Sequence, residues 1–144
     1  MPHITDEGGI NVLFLKEFLK FMRRQIAGSR RFIIVIGGGK VCRVYQRSAR
    51  KVGKISNWDL DWIGIAALKL NAELLRVIFA EQANKKVVDN MSNKFSFEKN
   101  IVIGAAYEPG KSSDWDAGEC AKTIGAKKII NLSRLLLLGQ LPFF

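Results

Sequence analysis

Histidine, cysteine and proline are scarce in this 144-residue chain, with one, two and three residues respectively. The one histidine, His3, stands beside the amino terminus, and Cys42 and Cys120 show no CxxC or Cys/His spacing. No zinc site is expected from that pattern, and no disulfide is implied. Long apolar runs are missing as well: nothing approaches the ~18–20 residues that a bilayer-spanning helix needs. The opening MPHITDEGG has neither the basic stretch nor the apolar stretch of a secretory signal, which points to the cytoplasm and to no membrane partner. Acidic residues are few, 13 Asp plus Glu against 23 Lys plus Arg, for a formal charge of +10. That excess concentrates anions around the molecule, whether nucleotide, nucleic acid or acidic lipid, without choosing among them. The cations are scattered and no aromatic–basic stacking pattern appears, so nucleic acid is the least favoured partner.

What is present is the material of a globular domain: 48% apolar residues, 10% aromatic, and enough length to bury a core. Between Asn11 and Ala27, Leu15, Phe18, Leu19, Met22 and Ile26 recur at helical spacing, and Gly28 supplies a stop. Arg31 to Ile36 is a β-branched run of the kind buried on both faces in a parallel sheet. Val41 to Lys51 follows as a helix. Asp61 to Ala80 is the longest one, with Asp61 in the first turn, where a carboxylate complements the helix dipole. Lys85 to Val88 and Ile101 to Ile103 read as short strands separated by a polar loop, Asn90 to Asn100. Ser113 to Ile124 reads as a helix and Lys127 to Leu132 as a last buried strand. Alternating strands and helices predict an α/β fold: a mainly parallel sheet in a three-layer αβα arrangement. Residues 1–133 form the domain in this reading, and 134–144 (RLLLLGQLPFF) form an apolar tail with neither strand alternation nor a polar helix face.

Three groups of residues could carry chemistry. Gly37-Gly38-Gly39 follows a strand and precedes a helix, so backbone and helix amides can approach an anion with no Cβ in the way. It is neither a P-loop nor a GxGxxG fingerprint, and a plain strand-to-helix turn explains it equally on its own. Arg43, four residues on, can fork onto phosphate oxygens or simply stay solvated. Asp61-Trp62-Ile63-Gly64-Ile65 joins an acid to a glycine one turn later, either as a helix cap or for close packing or ligand approach. Gly104 to Asp114 (GAAYEPGKSSD) leaves the end of a strand, where ligands of open α/β sheets bind. Its Ser112 and Ser113 can hold a phosphate or ribose, or can cap a helix.

Taken in order and spacing, these groups resemble the UMP kinase branch of the amino-acid kinase superfamily. There a strand ending in GGG is followed by an arginine four residues on, then by D-x-x-G-I/M opening a long helix, then by a G-x-x-x-P-G-x-S/T-S/T-D loop. The resemblance implies a UMP kinase homologue that phosphorylates UMP to UDP with ATP and Mg2+, usually as a homo-oligomer. It implies that Gly38 and Asp61 hold UMP and that Ala106, Tyr107, Glu108, Pro109, Gly110, Lys111, Ser112 and Ser113 wrap its phosphate. Gly39, Arg43 and Ser133 would face ATP.

The match also has gaps. Such kinases open with a lysine-bearing strand and G-G-S before an acidic, glycine-containing stretch like Asp6-Glu7-Gly8-Gly9, and they continue past Ser133 into an adenine-binding half. With those groups unmatched, no catalytic residue is assigned and no protein-held metal site is expected. The chain is expected to be a truncated product with an aberrant tail, catalytically incomplete, the alternative being a non-catalytic nucleotide-binding or assembly fragment.

Overall fold

A computed structural model of the chain describes residues 5–6 and 9–132. The elements run β1 (Thr5–Asp6), β2 (Gly9–Ile10), α1 (Val12–Ala27), β3 (Phe32–Val35), α2 (Gly39–Val52), α3 (Asn57–Ile78), β4 (Ile101–Gly104) and α4 (Ser113–Ile124). β1 and β2 form a small antiparallel hairpin. β3 and β4 pair in parallel, with Phe32 opposite Ile101 and Val35 opposite Gly104.

Local signals explain the helix ends. The Asn11 side chain accepts a hydrogen bond from the Phe14 amide at 2.9 Å, satisfying one of the free donors that open α1. Ser112 caps α4 in the same way through the Trp115 amide at 3.2 Å, and Gly125 ends that helix in the left-handed conformation at φ 63°. The helix expected from Asp61 begins four residues earlier, at Asn57. Ser56 is its cap, accepting from the Asp59 amide at 3.1 Å. Ser56-Asn57-Trp58-Asp59 is a Ser-x-x-Asp start signal. Asp59 therefore takes the first-turn position at the positive end of the dipole, and Asp61 is released from it.

The core lies between β4 and the apolar sides of α1 and α3. Leu15 and Met22 from α1, together with Ile65, Leu68, Ala72 and Leu75 from α3, pack with Phe79, Ile34, Ile36, Ile101 and Ile103. Phe18 meets Phe79 edge-on with ring centroids 5.8 Å apart. Each of the Leu, Ile, Met and Phe side chains contributes about 1.5–3 kcal/mol by leaving water. Val102 points to the other side of β4 and is equally buried, while α4 meets β3. β3 itself differs from expectation: Ile34 and Ile36 are buried, but Phe32, Ile33 and Val35 are only half covered. Among the described residues β3 has a strand on one side only, whereas β4 lies between β3 and the 82–88 segment.

Two expected strands do not form. Residues 85–88 make no continuous strand; the chain touches β4 only at Ala83 opposite Ile101 and Val88 opposite Gly104. Hydrogen bonds from Asn84 N to Ile101 O (2.8 Å), from Val88 N to Ile103 O (2.9 Å) and from Ala105 N to Val88 O (2.9 Å) hold those two points. Five steps of chain on one side match three on the other, so two residues must loop out. They include the exposed Lys85 and Lys86, whose ammonium groups are costly to bury unpaired. Residues 127–132 form no strand either and are exposed throughout, with Ile129 at 60% and Ile130 at 70%. Their apolar character was the whole signal, and no described strand edge accepts them. Asn90 to Asn100 is a loop, as expected, organised by Asn84: its Oδ1 accepts from the Glu98 and Lys99 amides at 3.0 and 2.9 Å, and its Nδ2 donates to Ser96 O at 2.8 Å. Ser133 and 134–144 lie outside the described residues.

Candidate functional site

Two loops leave the same end of the parallel pair: Gly37-Gly38-Gly39 after β3, and 105–112 after β4. Ile36 N donates to Gly104 O at 3.4 Å and ties their roots together. In open α/β sheets this is the end at which ligands sit.

The glycine loop is shaped by three constraints. Gly39 has φ 64°, a left-handed conformation that a residue with a Cβ adopts only with strain. A Cβ on Gly38 would stand 2.6 Å from Cys42 Cβ and 3.4 Å from Gly64 O. The backbone is therefore wedged between α2 and α3. From below, Asn71 of α3 donates its Nδ2 to Gly37 O at 3.1 Å and to Gly38 O at 3.2 Å. Asn71 is 3% exposed. Sequence reasoning missed it, although a polar residue on the apolar side of a long helix, beside Leu68, Ala72 and Leu75, is a usable signal. α2 begins at Gly39 with no side-chain cap, so its first amides have no capping side chain and suit an anion.

Arg43 opens the second turn of α2, which starts at Gly39. It is exposed and has no ion-pair partner among the described residues. Cys42 beside it is half-buried, and desolvation raises its thiol pKa; the Arg43 charge counters that shift and the Asp61 charge adds to it. Gly64 lies over this thiol: a Cβ there would meet Cys42 Sγ and Gln46 Nε2, each at 3.4 Å. Close helix packing, and not ligand approach, explains Gly64. Gln46 adds a bond to Leu60 O at 2.8 Å, which closes the α2–α3 seam.

Asp61 links α3 to the second loop. Its Oδ2 accepts a hydrogen bond from the Gly110 backbone amide at 2.9 Å, across 49 residues of sequence. The carboxylate thus holds the Pro109-Gly110 turn against α3 and does not cap its own helix. Gly110 has φ 83°, the left-handed value that a proline–glycine turn requires. Ala106 and Pro109 are buried, Tyr107 is half-buried, and Glu108, Gly110, Lys111 and Ser112 are exposed. Lys111 pairs with Glu108 at 2.8 Å and stands 5.5 Å from the centre of the Tyr107 ring. The hydrogen bond from Lys111 pulls the Glu108 carboxyl below its usual range, and the same bond raises the Lys111 ammonium. Ser112 has its hydroxyl on the α4 cap, and Ser113 begins that helix.

Asp116, one turn into α4, is 7% exposed, and its Oδ2 makes no hydrogen bond among the described residues. Burial raises its pKa, partly offset by the Lys111 charge. Cys120 is buried, and desolvation takes its thiol to about 11, which makes it an unreactive core residue. Among the described residues no three His, Cys, Asp or Glu side chains converge to hold a metal ion, and no helix is long and apolar enough to cross a membrane.

This geometry has counterparts. Over 112 residues the chain is 36% identical to a uridylate kinase of Methanoregula boonei, covering 76% of this chain and 47% of that protein. Over 127 residues it is 31% identical to one from Staphylothermus marinus, covering 87% of this chain and 56% of the relative. The crystal structure of uridylate kinase from Archaeoglobus fulgidus superimposes with a TM-score of 0.64 at 38% identity, over 78% of this chain and 51% of that one. Over the part they share, the chain is a homologue of uridylate kinases. Its fold is the α/β fold of amino-acid kinases, represented in part, and the chain spans about half the length of the curated relatives it matches. No family model matches it.

Proposed function

We propose that the two loops form the UMP-binding half of a uridylate kinase site, the reaction being transfer of the ATP γ-phosphate to UMP to give UDP in the cytoplasm. One observation carries this reading: Asp61, the acid of the D-x-x-G-I segment, holds the Gly110 amide of the P-G-K-S-S-D loop at 2.9 Å. Residues far apart in sequence thus meet in the loop that leaves β4, at the sheet end where ligands of open α/β sheets bind. In this reading Gly38 and Asp61 contact the nucleoside, and Ala106 to Ser113 surround its phosphate with backbone amides and the Ser113 hydroxyl. Gly39, Arg43 and Ser133 face the ATP phosphates. Magnesium would arrive with ATP, since no described carboxylate group forms a metal cradle of its own. Phosphoryl transfer then depends on positioning and charge neutralisation, to which the α2 amides and Arg43 contribute here. Assembly into a homo-oligomer is part of the same proposal, read from the sedimentation coefficient.

Titration calorimetry with UMP, CMP and AMP tests the site. UMP is expected to bind, Asp61→Ala to abolish the heat, and Arg24→Ala on the distant α1 to retain it; equal heats from all three nucleotides would overturn the substrate assignment. A second reading is favoured by the half-length match to the relatives: the chain binds UMP without turning it over. UMP binding with no ADP released from ATP selects that reading.

A further inference from the structure

The surface of α2 divides lengthwise into three. Cys42, Gln46 and Ala49 share one side, and α3 takes it: a Cβ on Gly64 would meet Cys42 Sγ and Gln46 Nε2, and Gln46 Nε2 donates to Leu60 O at 2.8 Å. The outward surface is made of two sectors of about 100° each, at 3.6 residues per turn. One carries Arg43, Arg47, Arg50 and Lys51. The other carries Val44, Tyr45 and Val52, which are 50%, 64% and 90% exposed. β1 also touches α2 and leaves these three side chains open. From Gly39 to Ser56 the sequence contains no acid, so nothing on the helix itself offsets the cationic sector. Lys54 and Ile55, both exposed, carry the two kinds of surface past the helix end.

We propose that the outward face of α2 rests on an anionic lipid bilayer, with the helix axis in the plane of the surface. Interfacial helices combine a cationic flank, drawn to acidic headgroups, with an apolar flank that enters the boundary between headgroups and acyl chains. The midline between the two sectors, where Val44 and Lys51 fall, lies opposite the α3 seam. This face can therefore meet a plane while the packing on α3 stays intact. Arg47 and Lys51 are long enough to keep their charge among headgroups while their stems cover apolar surface. A nucleic acid fits less well, because it would engage the cations and leave Val44, Tyr45 and Val52 in water, and one aromatic is no stacking platform. α1 also exposes Leu13 and Phe21 beside cations. There, however, Glu17 bonds Lys20 at 2.9 Å and Arg23 stands 3.8 Å from Glu81, so acids interrupt the charge. The lack of a spanning segment, from which no membrane partner was expected, does not bear on a helix that lies flat.

The test sediments the full chain with vesicles of phosphatidylcholine alone or with about 30% phosphatidylserine. Binding to the acidic vesicles is expected to be at least about tenfold tighter, and to weaken as salt rises. Arg47→Glu, Lys51→Glu and Lys54→Glu together are expected to lower affinity at least about tenfold. Val44→Ser, Tyr45→Ser and Val52→Ser together keep the charge and are expected to lower it about fivefold or more. Reversing Lys85, Lys86 and Lys94 to Glu makes the same change in net charge elsewhere and is expected to stay within about threefold, as is Leu13→Ser with Phe21→Ser on α1. All the substituted side chains are exposed, so each variant is expected to keep the parent circular-dichroism spectrum. Retained binding by either α2 variant, equal losses in the controls, equal affinity for both kinds of vesicle, or binding to an oligodeoxyadenylate without binding to vesicles would each overturn the proposal.

Discussion

The two loops of the site are built differently. The glycine loop is held from inside: a buried asparagine grips two of its carbonyls, and Cys42 fills the space where a Cβ would go. The Pro109-Gly110 loop is held from outside, by one exposed bond to Asp61 and a solvent-facing Lys111–Glu108 pair. Buried hydrogen bonds are costly to break, while exposed ion pairs contribute little to stability. The first loop is thus a fixed cradle, and the second is anchored at its buried Ala106 and Pro109 while its exposed Gly110 turn rests on a single carboxylate. A site that must close over a nucleotide and reopen gains from that division.

The contrast can be broken in order of size. Gly38→Ala forces a Cβ to 2.6 Å from Cys42; since both neighbours are fixed by helix packing, we expect a loss of about 3 kcal/mol in urea unfolding, the upper end for overpacking. Asn71→Ala removes the donor that Gly37 O and Gly38 O share, leaving Gly38 O with the Cys42 amide alone at 3.3 Å, and should cost about 2 kcal/mol by the same measurement. Gly110→Ala meets no atom within 4 Å but keeps an unfavourable φ, so about 1 kcal/mol is expected, with a larger effect on UMP affinity than on the unfolding midpoint. Glu108→Gln, on the exposed pair, should leave the midpoint unchanged. If Glu108→Gln instead destabilised as much as Asn71→Ala, the distinction between fixed cradle and exposed turn would fall.

A pH series sharpens the same point beside the second loop. The folded pKa of Asp116 is raised by burial above its ordinary 3.8. Below 3.8 both states keep the proton and the residue contributes nothing. As pH climbs, the unfolded chain releases its proton first, and stability falls until the folded pKa is passed. Asp116→Asn should therefore raise the melting temperature at neutral pH and lose that advantage near pH 3.5. A gain independent of pH would assign the effect to packing.

The sequence made the exposed, local half of this design legible and hid the buried, long-range half. Asn11, Gly28 and the Ser112 cap announce their helices because their partners lie three or four residues away. The P-G-K-S-S-D loop announces its turn in the same manner. Asn71 reaches back 34 residues to Gly37, and Asp61 reaches 49 to Gly110, distances that no periodicity spans. The helical spacing points to Asp61 as a first-turn residue, whereas the start signal is the Ser56–Asp59 pair one turn before it. Residues 127–132 show the opposite error, since apolar composition alone suggested a strand where no described edge receives one.

The two-residue excursion at Lys85 and Lys86 has a consequence for how this molecule behaves among its own copies. An outer strand with regular, unbroken pairing offers its free amides and carbonyls as a template onto which another chain can add. Here the segment beside β4 touches it at only two points and carries a pair of charged side chains between them. The irregularity that cost the sheet a strand also denies a neighbouring molecule a straight edge to copy, so this flank of the sheet is guarded against fibre-like stacking.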